Sequence, residues 1–177
     1  MRCALKPHPD TSAGAVEAVL ADVAREDGDC LAVRFIVQGR TGSLLVPTPA
    51  EPERTDGLWK LTCFEAFVRP AGGARYVELN FSPSTQWAAY AFEGYRNGMR
   101  AYGMDSPQIE TVSRDDIYEL RAVACGLPGG AWSVGLSAVI EEVDGTKSYW
   151  ALEHGAGQPD FHHAHAFALE LTWSLAS

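Results

Sequence analysis

The sequence predicts an all-β antiparallel sandwich, and three observations carry that prediction. Seventeen glycines and ten prolines break the 177 residues into short runs. Those runs alternate apolar with polar residues, the period of a half-buried strand. Turn pairs at Asp27-Gly28 and Asp144-Gly145 mark places where the chain reverses between runs. A chain of this length with 46% hydrophobic residues can bury one core, so residues 1–177 are expected to form a single domain.

The elements follow in order. "AVEAVLADVARE" fits helical spacing through Val16, Val19, Leu20 and Val23, and strand spacing through Val19, Ala21 and Val23; the "DGD" turn that follows favours a strand. "CLAVRFIVQG", Cys30 to Gly39, places Leu31, Val33, Phe35 and Val37 on one face and reads as a strand. "VPTPAEPERTDG", Val46 to Gly57, is a long proline-rich loop within the domain. "TQWAAYAFEGYRNGM" is open between helix and strand, because Trp87, Tyr90, Ala91 and Gly94 could line a helix. "IYELRAVACGL", "AWSVGLSAVIEEV", "KSYWALEH" and "AFALELTWSL" complete the strand pattern, with Asp144-Gly145 as a hairpin turn.

Between the proline-rich loop and the ambiguous segment lie "LTCFEAFVR" and "YVELNFS", joined by "PAGGA". Their hairpin is expected to set Val68 opposite Arg75, Ala66 opposite Val77, Phe64 opposite Leu79 and Thr62 opposite Phe81, which makes one face apolar. The other face then pairs Phe67 with Tyr76, Glu65 with Glu78, Cys63 with Asn80 and Leu61 with Ser82. Two carboxylates directly opposite repel unless solvent, an arginine, a metal or a shared proton relieves them. The arginines available are Arg34, Arg54, Arg96 and Arg121. The pair is therefore either part of a ligand site or part of an internal ion-pair network. A glycoside hydrolase would need two carboxyl groups about 5 Å or about 6.5–9.5 Å apart. No GxSxG, phosphate-cradling glycine loop or Cys-His-Asn set accompanies them, so a non-catalytic role is the stronger expectation.

Fourteen basic against 23 acidic residues, a net charge of −9, exclude a general binder of nucleic-acid backbones. Neither a leader-like apolar stretch in "MRCALKPHPDTSAG" nor a membrane-spanning run is present, so no membrane partner and a cytoplasmic location are expected. Nothing bears on oligomeric state. Cys3, Cys30, Cys63 and Cys125 are expected to be buried free thiols.

Five tryptophans remain to be placed. Trp132 and Trp173 fall within strand patterns and read as core. Trp59, Trp87 and Trp150 lie near strand ends, where an indole can either stack on a sugar ring or close the end of a sandwich. In the tail "PDFHHAHAF", an extended conformation would put His163 and His165 on one face, a spacing that can chelate a metal with a third ligand from elsewhere; His162 would point the other way. Met99 and Met104 stand in loops that could approach these histidines, but no CxxCH is present.

Taken together, "DGLWKLTCFEAFV", "YVELNFSPSTQWAAYAFEGYRNGM" and "PDFHHAHAF" resemble bacterial DOMON-like domain proteins, relatives of the family 9 carbohydrate-binding modules. The resemblance is strongest from Asp56 to Met99. It implies a jelly-roll-like β-sandwich whose ligand is a sugar or, alternatively, haem. For a sugar it implies Trp59 and Trp150 as a stacking pair, with Glu65, Glu78, Asn80 and Arg96 as polar contacts. For haem or a metal, His162, His163 and His165 are the alternative ligands.

Overall fold

The computed structural model describes residues 1–12 and 14–172. Within them lie β1 (Arg2–Pro7), β2 (Val16–Glu26), β3 (Cys30–Gly39), β4 (Cys63–Pro70), β5 (Tyr76–Phe81), β6 (Trp87–Phe92), β7 (Arg100–Ala101), β8 (Gln108–Arg114), β9 (Ile117–Ala124), β10 (Trp132–Glu141), β11 (Lys147–Ala151) and β12 (Leu169–Leu171). Helical structure among the described residues amounts to three one-turn 3₁₀ segments. No helix there is long and apolar enough to cross a membrane.

Among the described residues all pairings between strands are antiparallel. One sheet runs β1-β2-β3-β9-β8, and the other runs β1-β11-β10-β4-β5-β6-β7, with β12 on β10. β1 belongs to both: Arg2 to Leu5 pair with β2, while Lys6 and Pro7 pair with β11. The continuous sheet thereby curls into two layers, a β-sandwich. Between the layers Phe35 of β3 meets Phe64 of β4 with ring centroids 5.0 Å apart, and Val33, Val37, Ala66, Val68, Leu79, Leu120, Trp132 and Leu136 join the same core. Burial of this apolar surface is the main force holding the layers together.

The ambiguous segments are strands. β2 turns into β3 through Asp27 and Gly28, both at positive φ, and "WAAYAF" forms β6 with all six side chains buried. A sheet buried on both faces removes the alternation that separates strand from helix, which is why the sequence left β6 open.

The central hairpin departs from expectation in register. Val68 pairs with Val77, Ala66 with Leu79, Phe64 with Phe81, Glu65 with Asn80 and Phe67 with Glu78. The shift is two residues, so every side chain keeps its expected face while Glu65 and Glu78 become diagonal neighbours. Diagonal placement lengthens the approach of the two carboxyl groups and gives each a different neighbour across the ladder.

Two of the four cysteines are not free. Cys30 and Cys125 form a disulfide, Cα to Cα 4.0 Å, whereas Cys3 and Cys63 are thiols. The cause is the β3–β9 register: Leu31 pairs with Ala124, so the residues just beyond them come face to face across 95 positions of sequence. A persistent disulfide weighs against the cytoplasmic expectation, since reducing compartments rarely retain one. Trp132 is in the core as expected, and Trp173 lies outside the described residues.

Candidate ligand-binding site

The outer face of β4, β5 and β6 is not open to solvent. Leu58, Cys63, Phe67, Tyr76, Ala88, Tyr90, Phe92 and Phe167 form a second apolar cluster on it, with Phe161 packed against them. Two loop segments supply the cover. Gly57 takes a left-handed conformation (φ +79°) that starts the 3₁₀ turn Leu58–Lys60, so that Leu58 points inward and Trp59 outward. Asp56 accepts a 2.6 Å hydrogen bond from the Tyr90 hydroxyl, and the Trp59 ring meets Tyr90 edge-on at 6.0 Å. From the other side the chain at 159–167 folds over β10, where Gly135 leaves the space that Ala166 occupies: a Cβ at Gly135 would lie 2.9 Å from the Ala166 carbonyl oxygen.

Between these covers lies a cavity of about 430 Å³, bordered by Trp59, Glu65, Glu78, Arg96 and His162 together with Phe92, Met99, Val139, Tyr149, Pro159 and Phe161. Four of the six residues expected to contact a ligand, Trp59, Glu65, Glu78 and Arg96, therefore share one cavity. Asn80 does not border it. It is fully buried and donates a 2.8 Å hydrogen bond from Nδ2 to Glu78 Oε1, so it positions that carboxyl group.

Trp150 departs furthest from expectation. It is 5% exposed, belongs to the core between the layers, and donates from Nε1 to Ser148 Oγ at 2.9 Å. It cannot face Trp59. Strand alternation places Tyr149 instead on the cavity side of β11, opposite Val139, and Trp59 itself is 39% exposed. Both Tyr149 and Trp150 are amphipathic aromatics, so "SYWA" alone does not say which faces the core.

The tail histidines are not on a strand. Residues 161–163 form a turn leading into the 3₁₀ segment Ala164–Ala166, and the His163 ring accepts from the His165 backbone N–H. His163 and His165 stand with ring centroids 4.7 Å apart, away from the carboxylates that border the cavity. Among the described residues no three histidine, cysteine or acidic side chains gather as a metal site. His162 alone enters the cavity lining. Its Nδ1 lies 2.8 Å from the Tyr76 hydroxyl, which itself accepts the Arg96 backbone N–H at 3.2 Å. The hydroxyl and Nδ1 share one proton, and Nε2 faces Glu78 Oε2 at 3.6 Å. Burial, helped by Arg96 and opposed by Asp160, lowers the His162 pKa to about 4, so the ring is neutral and the contact with Glu78 is not an ion pair.

Of the four arginines, only Arg96 meets the carboxyl pair. Arg34 and Arg121 bind Glu119 on the outer face of the other sheet, and Arg54 donates to the carbonyls of Ala89 and Tyr102 while lying over Trp87. Arg96 has a left-handed backbone (φ +50°) in the tight turn closed by Gly94 and Asn97, and its guanidinium binds Asp160 at 2.8 Å. Asp160 also accepts from the Tyr95 hydroxyl and from the His162 backbone N–H, tying the 94–97 turn to the 159–162 segment. Burial pushes the Asp160 carboxyl up, but the combined hydrogen bonds from Tyr95, Arg96 and His162 hold it below the ordinary aspartate range.

Glu65 and Glu78 are affected the other way. Glu65 is 3% exposed and accepts from Ser137 Oγ at 2.9 Å. Burial first, and the charge of Glu78 second, raise its pKa to about 8 against the lowering effects of Ser137 and Arg96. Burial also raises Glu78, opposed by Asn80 and Arg96. The cavity thus offers two carboxyl groups whose ionisation burial opposes, one tethered guanidinium and several aromatic surfaces.

The fold has known counterparts. A proposed carbohydrate-binding protein from Bacteroides uniformis superposes with a TM-score of 0.65 at 14% identity, covering 92% of this chain and 83% of that one. A family 9 carbohydrate-binding module from Caldicellulosiruptor kristjanssonii is similar in its complex with cellotriose (TM-score 0.54, 10% identity, 85% of this chain and 72% of that one). The module's complex with glucose gives 0.53 at 11% identity, covering 98% and 86%. At such identities the likeness is one of fold, an antiparallel β-sandwich. No family model matches the chain, and no curated protein matches it.

Proposed function

We propose that this chain is a non-catalytic carbohydrate-binding module whose site is the cavity over the outer face of β4 and β5. The observation that carries the reading is the meeting, in one cavity of about 430 Å³, of a part-exposed indole, two carboxyl groups and a guanidinium. Sugars are held by this combination: an aromatic surface takes the C–H face of the ring, and charged groups in fixed positions take its hydroxyls. The volume suits a small ligand or the end of a longer one. The fold shared with modules seen in complex with cellotriose and glucose supports the same reading, as does the resemblance of the "DGLW", "YVELN" and "PDF" stretches to DOMON-like relatives of those modules.

Calorimetric titration against a glycan panel that includes glucose and cellotriose tests it. Saturable heat that is lost in Trp59→Ala is the expected result, and no heat with any glycan overturns the reading. One observation favours haem as a second reading: Met99 and His162 border the same cavity. Against it, the Tyr76 hydroxyl occupies Nδ1 of His162, Nε2 is directed at Glu78, and the two buried carboxyl groups oppose a porphyrin's propionates. A Soret band after addition of haemin would favour haem, and its absence would remove it.

A further inference from the structure

The cavity holds more acid than base. Arg96 is the one guanidinium on its border, and Asp160 at 2.8 Å already matches that charge. His162 is neutral. Glu65 and Glu78 are left without a cation of their own, although both are buried. Each uses one oxygen internally: Glu65 Oε2 accepts from Ser137, and Glu78 Oε1 accepts from Asn80. Among the described residues no hydrogen-bond donor reaches Glu65 Oε1, and Glu78 Oε2 has only the 3.6 Å approach of His162. Two carboxyl oxygens on neighbouring strands thus open into the cavity without a protein partner. Burial disfavours the ionised form of both groups and raises them, and a cation brought into the cavity restores that form.

The chemistry that removes this imbalance is specific. A neutral hydroxyl can donate one hydrogen bond to such an oxygen but supplies no charge to hold the carboxyl group ionised. An ammonium group donates up to three hydrogen bonds and cancels a charge, and the aromatic side chains of Trp59, Phe92, Tyr149 and Phe161 around the same cavity are favourable neighbours for a cation. We infer that the ligand of this cavity carries a free amine, and that its class is the unacetylated amino sugar. This inference rests on the reading of the cavity as a carbohydrate site.

Calorimetry at neutral pH with D-glucosamine, D-glucose and N-acetyl-D-glucosamine as the probes tests it. The three differ at one substituent, which is an ammonium, a hydroxyl or a neutral amide. Glucosamine is expected to bind roughly tenfold or more tightly than the other two, as a charge-assisted contact in a buried site implies. In Glu65→Gln/Glu78→Gln the ratio of glucosamine to glucose affinity is expected to fall to about one, whatever the change in affinity for the neutral sugars. Equal affinity for the three, or a preference that survives in the double variant, overturns the amine and leaves the carbohydrate reading standing. No binding of any of the three overturns both. Should the double variant fail to fold, as its thermal melt would reveal, the comparison of the three probes on the unaltered protein decides alone.

Discussion

Arg96 and Asp160 hold together two loops that are 64 residues apart in sequence, with Nη2 2.8 Å from Oδ1. The pair sits at the rim of the cavity, where Asp160 also gathers Tyr95 and the His162 backbone. Arg96 is about half exposed, so the pair adds little to global stability, roughly 0–1 kcal/mol. Its effect is on the shape of the rim. Asp160→Asn is expected to lower glycan affinity about tenfold while shifting the urea midpoint only slightly; an affinity equal to that of the parent would show that the clamp does not shape the site.

Trp59 and Trp150 invite opposite outcomes from the same substitution. Trp59→Ala removes an exposed ring and is expected to leave stability within about 0.5 kcal/mol while weakening sugar binding by tenfold or more. Trp150→Ala opens a hole between the layers and orphans Ser148, and is expected to destabilise by roughly 3–5 kcal/mol. Denaturation curves paired with calorimetry separate the two. If Trp59→Ala unfolds the protein and Trp150→Ala merely weakens binding, the cavity has been placed on the wrong face.

The carboxyl pair gives stability an unusual dependence on pH. Glu65 and Glu78 have folded-state pKa values raised above the unfolded value, so their contribution is complete below about pH 4.5 and is lost as pH rises through the folded value, about 8 for Glu65. His162, lowered to about 4, works in the opposite sense up to its unfolded value near 6.5. Asp160, Glu119 and Asp22 are held below their ordinary carboxylate values, so their contribution is lost only as pH falls into the acid range. Between about pH 6.5 and 8 the decline due to Glu65 is therefore the dominant slope. Urea denaturation is expected to show a loss on the order of a few kcal/mol across the interval and a much flatter profile in Glu65→Gln. A parent profile as flat as the variant's would mean that both groups are already ionised at pH 6.5.

The Cys30–Cys125 bridge predicts a thiol count. Alkylation after unfolding without reductant should modify two cysteines, Cys3 and Cys63, and four after reduction. Because the bridge closes a loop of 95 residues, Cys30→Ser/Cys125→Ser is expected to cost roughly 2–5 kcal/mol, read as a lower melting temperature. Four thiols without reductant would exclude the bridge.

What could be read from the sequence follows the reach of its signals. Period-two alternation gave the bounds of β3 and the two faces of the central hairpin, because a face is decided by parity alone. It could not give the register, since a shift of two residues preserves parity, and so Glu65 and Glu78 were placed opposite when they are diagonal. Parity between β10 and β11 is equally hidden, so local sequence offers no check on Trp150, which the resemblance implies and which Tyr149 replaces at the cavity. β8 carries no buried apolar face and β1 buries Leu5 alone, so neither leaves a pattern to detect. The loop meeting at Asp160 and the Cys30–Cys125 pairing depend on contacts far apart in the chain, for which local sequence carries no signal.

The double membership of β1 bears on the order in which the molecule can assemble. Its first four paired residues find partners within about twenty positions, up to Asp22, whereas Lys6 and Pro7 wait for Trp150 and Ala151. A chain emerging from the ribosome can therefore complete the β1–β2–β3 meander early. Joining the two layers at β1 must wait until Trp150 and Ala151 have been made. Loop closure on that scale slows folding, so the closing seam between β1 and β11 is where refolding is expected to be rate-limited.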